Sequence, residues 1–226
     1  MTMAEPLNNN IRYLQIAFNY DLRMAMQMIP HIPHSDRILI EAGTPFIKLE
    51  GMAGVRTIRR MWPGLVVADM KITDGAIGEV DMAYNAGASA ITVLGNAPTE
   101  SLNLFINRCN DLQMLSMIDL LGVDDPLQVL RPLRKAPDVV VIHRGRDEEN
   151  TAGKVIEYRQ VNRIRSKFDS LISAAGGVDL REARSAVFNG ANIVVANIVR
   201  PDDGWKGIKT TDDINAIAQK FLETIS

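Results

Sequence analysis

Short apolar runs alternate with amphipathic stretches along the whole 226-residue chain. The runs cover 13–18, 37–41, 65–68, 89–94, 114–118, 138–142, 170–175 and 192–196, and each is bounded by polar residues, glycine or proline. Between them apolar positions recur at helical spacing, as in 76–85, where Ile77, Val80, Ala83 and Tyr84 share one side and Glu79 and Asp81 the other. The same reading predicts helices over 22–29, 51–61, 99–111, 126–134, 152–166, 180–188 and 211–222. Local signals set their ends. Asp21 and either Thr211 or Asp212 stand as N-caps, Pro30 and Pro33 stop the first helix, Pro126 opens another, and Gly87 and Gly190 close two more.

The strands 65–68, 139–142 and 193–196 are continuous apolar runs rich in valine and isoleucine, the pattern of parallel strands buried on both faces. Eight strand–helix units in strict order, without a linker or charge run, fit a (β/α)8 TIM barrel spanning 1–226 as one domain. Residues 1–10, polar and asparagine-rich, are expected to form a loose arm or a segment across the end of that domain. An open sheet with a nucleotide site is the alternative, but no glycine-rich fingerprint follows the first strand.

Composition narrows the function classes. A formal net charge of −2 argues against nucleic acid or an anionic membrane surface as the main partner. The single Cys109 fits a reducing compartment, and no apolar run approaches a membrane span or a signal-peptide core, so a cytoplasmic protein is expected. Met24, Met26 and Met28 read as packing residues, and His31 and His34 as surface residues of a proline-rich turn.

The chemistry gathers at the strand ends. In a parallel barrel all carboxyl ends meet at one rim, where active sites are built. The tips here are Asn19, Glu41, Asp69 with Lys71 and Asp74, Asp119, His143 with Arg146, Gly176-Gly177 and Asn197. Asp69 and Lys71, two residues apart in an extended segment, project to the same side. Glu41 and Asp69 offer two hard oxygen ligands suited to Mg²⁺, and the same pair is also explained as carboxylates neutralised by Lys71. The glycine pair lets backbone N–H groups approach a phosphate, and His143 is the one histidine at a strand tip, placed for proton transfer. Together these parts suit proton or C–C bond chemistry beside the carbonyl of a sugar phosphate.

Asp69-Met-Lys71-Ile-Thr-Asp74 resembles the Asp-x-Lys-x-x-Asp signature of the orotidine-5′-phosphate decarboxylase suprafamily. Glu41-Ala-Gly-Thr-Pro45, Thr92-Val-Leu-Gly95, Asp119-Leu-Leu-Gly122 and Ala175-Gly-Gly-Val178 resemble its 3-hexulose-6-phosphate synthase group. His143-Arg-Gly-Arg146-Asp147 is closer to the related 3-keto-L-gulonate-6-phosphate decarboxylases. The resemblance implies Mg²⁺ on Glu41 and Asp69, Lys71 beside an enediolate and His143 as proton carrier. It also implies a homodimer with shared active sites, in which Asp74 reaches the neighbouring subunit.

The implied activity is condensation of formaldehyde with D-ribulose 5-phosphate, or its reverse. The alternatives are decarboxylation of a β-keto sugar acid phosphate, favoured by Arg146, and a non-catalytic barrel that binds a phosphorylated ligand or a partner protein. Two positions depart from the group. Asn19 stands where an aspartate contacts substrate hydroxyls, and Asn197 where glycine lies at the phosphate, with Arg200 farther along as a substitute charge. The following segment, 201–205, reads as a cover over the phosphate or as a surface loop.

Overall fold

The computed structural model describes residues 7–149, 151 and 155–226. Its strands are β1 (Tyr13–Phe18), β2 (Ile38–Ala42), β3 (Val66–Ile72), β4 (Ala90–Leu94), β5 (Leu115–Asp119), β6 (Val139–His143), β7 (Leu171–Ala175) and β8 (Ile193–Val199). They pair in parallel in sequence order, and β1 also pairs with β8, which closes the sheet into a (β/α)8 barrel. A short further strand, β9 (Ile208–Lys209), adds to the far end of β8, and nothing in the apolar pattern announced it. The helices are α1 (Leu22–Met28), α2 (Thr44–Met61), α3 (Ala76–Asn85), α4 (Thr99–Asp111), α5 (Pro126–Leu130), α6 (Arg146–Glu149), α7 (Arg159–Arg165), α8 (Leu180–Phe188) and α9 (Ile214–Thr224).

Both faces of the strands are buried, which explains their continuous apolar runs. One face packs beneath the helices, where Leu14, Ile16, Phe18, Phe46 and Ile58 belong to a single cluster. The other fills the barrel with Tyr13, Ala17, Leu39, Val67, Met117, Val141 and Val195 among others. Strand alternation then fixes the rim. Two residues beyond Ala17, Leu39, Val67, Met117, Val141 and Val195 come Asn19, Glu41, Asp69, Asp119, His143 and Asn197.

Several boundaries differ from the sequence expectation, each for a local reason. Helix α2 starts at Thr44, where Pro45 suits the first turn, and the expected start at Gly51 is instead a kink (φ 59°, ψ −160°). At that kink the Glu50 carboxylate accepts from the Leu22 backbone N–H, 2.9 Å away. Helix α5 ends at Leu130 rather than 134, because Pro132 has no N–H to continue the ladder after Arg131. Helix α9 begins after Asp213, whose carboxylate accepts from Asn215 and Ala216 N–H, while Asp212 caps the turn at Lys209. The expected helix over 152–166 is only α7; residues 152–154 lie outside the described residues, and 155–158 are not helical.

Of the expected N-terminal arm, residues 1–6 lie outside the described residues, and 7–10 lie across the barrel's amino end. Leu7 packs on the interior cluster, Asn8 N–H donates to the Tyr13 hydroxyl at 2.8 Å, and Asn192 donates to the Asn9 carbonyl at 3.0 Å. No helix of the described residues is long and apolar enough to cross a membrane.

Inside the barrel the Ser173 hydroxyl is fully buried, with no hydrogen-bond partner among the described residues. Burying a hydroxyl unpaired costs about 1–3 kcal/mol. Ser173→Ala is therefore expected to leave stability unchanged or raise it by about 1 kcal/mol in urea denaturation. A loss of that size would mean that the hydroxyl holds a partner.

Candidate active site

The rim residues converge on the ammonium of Lys71. Its Nζ donates to both Asp69 oxygens, at 2.8 and 2.9 Å, and to Asp119 Oδ2 at 2.8 Å. Asp119 Oδ2 also lies 2.9 Å from His143 Nδ1, and Asp119 Oδ1 accepts from the Leu121 N–H at 2.9 Å. Asp69 accepts from the hydroxyls of Thr92 and Thr44, each at 2.8 Å. Four strands and the start of α2 thus contribute to one network.

The backbone that aims Lys71 is not the flat strand expected. Across β3 and β4 the register runs Ala68↔Ile91 and then Ile72↔Val93, so β3 bulges between them. Lys71 sits in the bulge at φ 48°, a left-handed conformation that costs a side-chain-bearing residue about 1–3 kcal/mol. Its N–H is held by Thr92 Oγ1 at 2.9 Å. Asp69 and Lys71 do face the same site, but through this bulge rather than through simple alternation.

Electrostatics follow from burial. Glu41 and Asp69 are each 7% exposed and Asp119 is 2% exposed. Burial opposes the charge on Lys71, but the carboxylates of Asp69 and Asp119 outweigh it and hold the ammonium above its usual range. Burial likewise works against the Asp119 charge and is overcome by His143 and Lys71, which keep that carboxyl well below the ordinary range. His143, buried yet bonded to Asp119, is shifted upward. Glu41 is the exception. Burial first, and the nearby Asp69 charge second, push it up to about 7.

Glu41 is held from below by Gln15, whose Nε2 donates to Glu41 Oε2 while its own Oε1 is buried without a partner among the described residues. Gln15, Thr44 and Thr92 are members of the site that sequence reasoning missed. The signal for Thr92 was present, because it lies two residues beyond the interior Ala90 on β4. Gln15 gave none, lying inside an otherwise apolar strand.

The other expected residues are more dispersed. Asp74 is exposed and outside the network; its charge is felt by Glu79. Gly176 and Gly177 both have positive φ, 104° and 64°. A Cβ on Gly176 would lie 2.0 Å from the Arg144 carbonyl oxygen, so the close approach of the β6 and β7 loops requires glycine there. The two departures meet each other: Asn19 Nδ2 donates to Asn197 Oδ1 at 3.0 Å across the β1–β8 seam. Gly43 makes room for this pair, since a Cβ there would lie 2.1 Å from Asn19 Oδ1. Arg200 lies over the ring of Tyr20 and Arg146 over that of Trp205, 4.6 and 3.9 Å from the ring centres. A cavity of about 900 Å³ lined by His31, His34, Asp212 and Asp213 lies apart from this rim, and no member of the Lys71 network borders it.

The family model of the orotidine 5′-phosphate decarboxylase / HUMPS family matches residues 12–197, which takes in β1 to β7, most of β8 and all of the Lys71 network. The chain belongs to this family. It is 35% identical, over 94% of its length, to a bifunctional enzyme Fae/Hps of Methanothrix thermoacetophila, and spans about half (52%) of that relative. It superposes with a TM-score of 0.80 on 3-hexulose-6-phosphate synthase from Salmonella typhimurium, at 25% identity, covering 94% of this chain and 98% of that one. The fold is shared as well with 3-keto-L-gulonate-6-phosphate decarboxylase from Vibrio cholerae, at 23% identity and a TM-score of 0.73, covering 95% and 97% of the two chains.

The raised Glu41 carboxyl has a consequence for stability. Its folded-state value of about 7 lies above the ordinary 4.5, so the folded chain binds more protons than the unfolded one between those values. Stability is therefore fullest below about pH 4.5 as far as this group is concerned and declines as pH rises to about 7, by up to about 1.4 kcal/mol per pH unit. Glu41→Gln should flatten that slope in thermal melts taken from pH 5 to 8. An unchanged slope would remove Glu41 as the titrating group.

Proposed function

We propose that the chain is an aldehyde-lyase of the 3-hexulose-6-phosphate synthase type, joining formaldehyde to D-ribulose 5-phosphate or running the reverse cleavage. The observation that carries this reading is the buried ammonium of Lys71 between Asp69 and Asp119, with His143 on the far side of Asp119. That arrangement presents a fixed positive charge where a carbonyl-derived oxyanion develops, next to a group able to carry a proton. The matched region corresponds to the family model, and the synthase of known structure superposes along the chain.

In the forward direction His143 takes a proton from C1 of ribulose 5-phosphate. The electron pair left behind spreads over C1, C2 and the C2 oxygen as an enediolate, stabilised by Lys71. That pair attacks the formaldehyde carbon, the new C–C bond forms, and the formaldehyde oxygen takes up a proton returned by His143. The Asp119 contact fixes Nδ1 and leaves Nε2 to exchange the proton. Asn19 and Asn197 take substrate hydroxyls, and the phosphate lies toward Gly176, Gly177 and Arg200.

The donor set fits Mg²⁺. Glu41 and Asp69 are buried carboxylates, the Asp69 charge raises the proton affinity of Glu41, and the nearby ammonium is already shared between Asp69 and Asp119. Glu41 and Asp69 would hold the ion, which when bound supplies Lewis-acid stabilisation of developing oxyanions. We also infer a homodimer. Asp74, Ile77 and Met82 on or beside α3 and Leu104 on the adjoining α4 are exposed, a surface that a second copy would cover while bringing Asp74 to its partner's rim.

Decarboxylation of a β-keto sugar acid phosphate would use the same enediolate with Arg146 as the distinguishing group. The position of Arg146, three residues beyond His143 at the end of β6, makes it the second reading. A barrel without turnover accounts poorly for a lysine held at positive φ between two buried carboxylates.

Incubation with Mg²⁺, ribulose 5-phosphate and formaldehyde should consume formaldehyde and exchange deuterium into C1. Absence of both sinks the enediolate reading for this substrate. Lys71→Ala should lower exchange by at least about a hundredfold, and chelation should silence it. An undiminished rate in the first case removes Lys71 from the chemistry, and in the second removes Mg²⁺. Asn19→Asp should alter the relative rates with alternative pentulose phosphates.

A further inference from the structure

The loop from Arg200 to Gly207, between β8 and β9, makes contacts at both of its ends that span the rim. At one end the Tyr20 hydroxyl, from the β1 loop, donates to Asp203 Oδ2, the Arg200 N–H donates to the same oxygen at 2.9 Å, and the Arg200 guanidinium lies 4.6 Å from the centre of the Tyr20 ring. At the other end the indole of Trp205 lies under the Arg146 guanidinium, 3.9 Å from ring centre to Cζ. Arg146 opens α6, which follows β6, whereas Trp205 follows β8. Between those two strands lies β7, with Gly176 and Gly177 at its tip. A contact between the β6 and β8 loops therefore joins the two loops that flank the β7 tip.

We propose that residues 200–207 form a strap over Gly176-Gly177, and that Trp205 is a positioning residue that holds the Arg146 guanidinium above this cradle for a phosphoryl group. The proposal rests on the phosphorylated-substrate reading above and extends it. It gives the site an anion grip at a rim where β8 carries Asn197, already engaged by Asn19, rather than an open glycine. Stacking on an aromatic face fixes the plane of a guanidinium while leaving its N–H edge free for the paired oxygens of a phosphate.

A further observation points to an anion at the cradle. The chain places one there itself: Glu149 Oε2 lies 2.8 Å from where a Gly177 Cβ would stand, and Arg144 Nη2 lies 2.4 Å from the same point. Burial raises the Glu149 carboxyl, while the charges of Arg144, Arg146, His143 and Lys206 all favour its ionised form. The latch is also charge-balanced. Asp203 accepts from Tyr20 and from the Arg200 backbone, and the guanidiniums of Arg200 and Arg146 both bear on it.

The test is isothermal titration with inorganic phosphate and with ribulose 5-phosphate, in the presence of Mg²⁺, on the wild type, Trp205→Leu, Trp205→Phe and Tyr20→Phe. Trp205→Leu should weaken both ligands by about five- to tenfold, with the loss in turnover falling on KM more than on kcat. Trp205→Phe, which keeps an aromatic face, should retain most of the affinity. Tyr20→Phe, which removes the latch hydroxyl and keeps the ring under Arg200, should cost about two- to threefold. Trp205 is only partly buried on a loop, so an unchanged melting temperature is expected in each variant. Wild-type affinity in Trp205→Leu overturns the strap, as does an equal loss in the leucine and phenylalanine variants, which would mean packing alone. A wild type that turns over ribulose 5-phosphate beside an unaffected Trp205→Leu sinks the strap and leaves the proposed function standing. A wild type that neither binds phosphate nor turns over the sugar phosphate removes both.

Discussion

The structure depends on keeping one ammonium ion buried at the mouth of the barrel. Lys71 is tolerable there only because two carboxylates, from β3 and β5, sit within hydrogen-bond distance of it. Neither carboxylate would be tolerable without the lysine, since an unpaired buried charge costs several kcal/mol. The remaining contacts serve that balance. Thr44 and Thr92 take up lone pairs of Asp69, the Leu121 N–H takes one of Asp119, and His143 shares the other Asp119 oxygen. The bulge in β3 gives Lys71 its direction, and the left-handed backbone there is strain that the network over-determines.

Glu41 is left out of this neutralisation. It is buried, faces the charge of Asp69 and has only the Gln15 amide as a direct partner among the described side chains. Gln15 in turn keeps a carbonyl oxygen buried without a partner among the described residues. A fold selected for stability alone gains nothing from that arrangement. The arrangement agrees with the metal role proposed for Glu41, with an amide beneath it to set its orientation.

The other side of the rim is built differently. Around the β1–β8 seam the contacts are amide to amide and guanidinium to aromatic ring, with Asn19 on Asn197, Arg200 on Tyr20 and Arg146 on Trp205. These groups are less buried and more adjustable than the Lys71 network. In the proposed function the chemistry is carried by strands and the grip on the rest of the ligand by loops, the usual division in a barrel whose loops vary over a constant frame.

How much of this was legible in the sequence follows from the range of each interaction. Strand positions, the barrel and the rim residues Glu41, Asp69, Asp119 and His143 could be read directly, because burial on both faces writes continuous apolar runs and alternation places the residue two beyond each core position. The Asp-x-Lys-x-x-Asp stretch marked Lys71 by its resemblance to a family signature, although the bulge and not alternation aims it. Helix limits were less legible where capping competes, as at Thr44 and Asp213, or where Pro132 stops a helix early. Only the tertiary structure decided what depends on strands distant in sequence. The β3 bulge arises against β4, and the Asn19–Asn197 pair, 178 positions apart, exists because β1 meets β8. Gln15 reads as one more core residue until Glu41 is set above it, and Arg146 and Trp205 become a pair only when the β6 and β8 loops meet. Local patterning records which face a residue takes, whereas closure of the barrel chooses its partner.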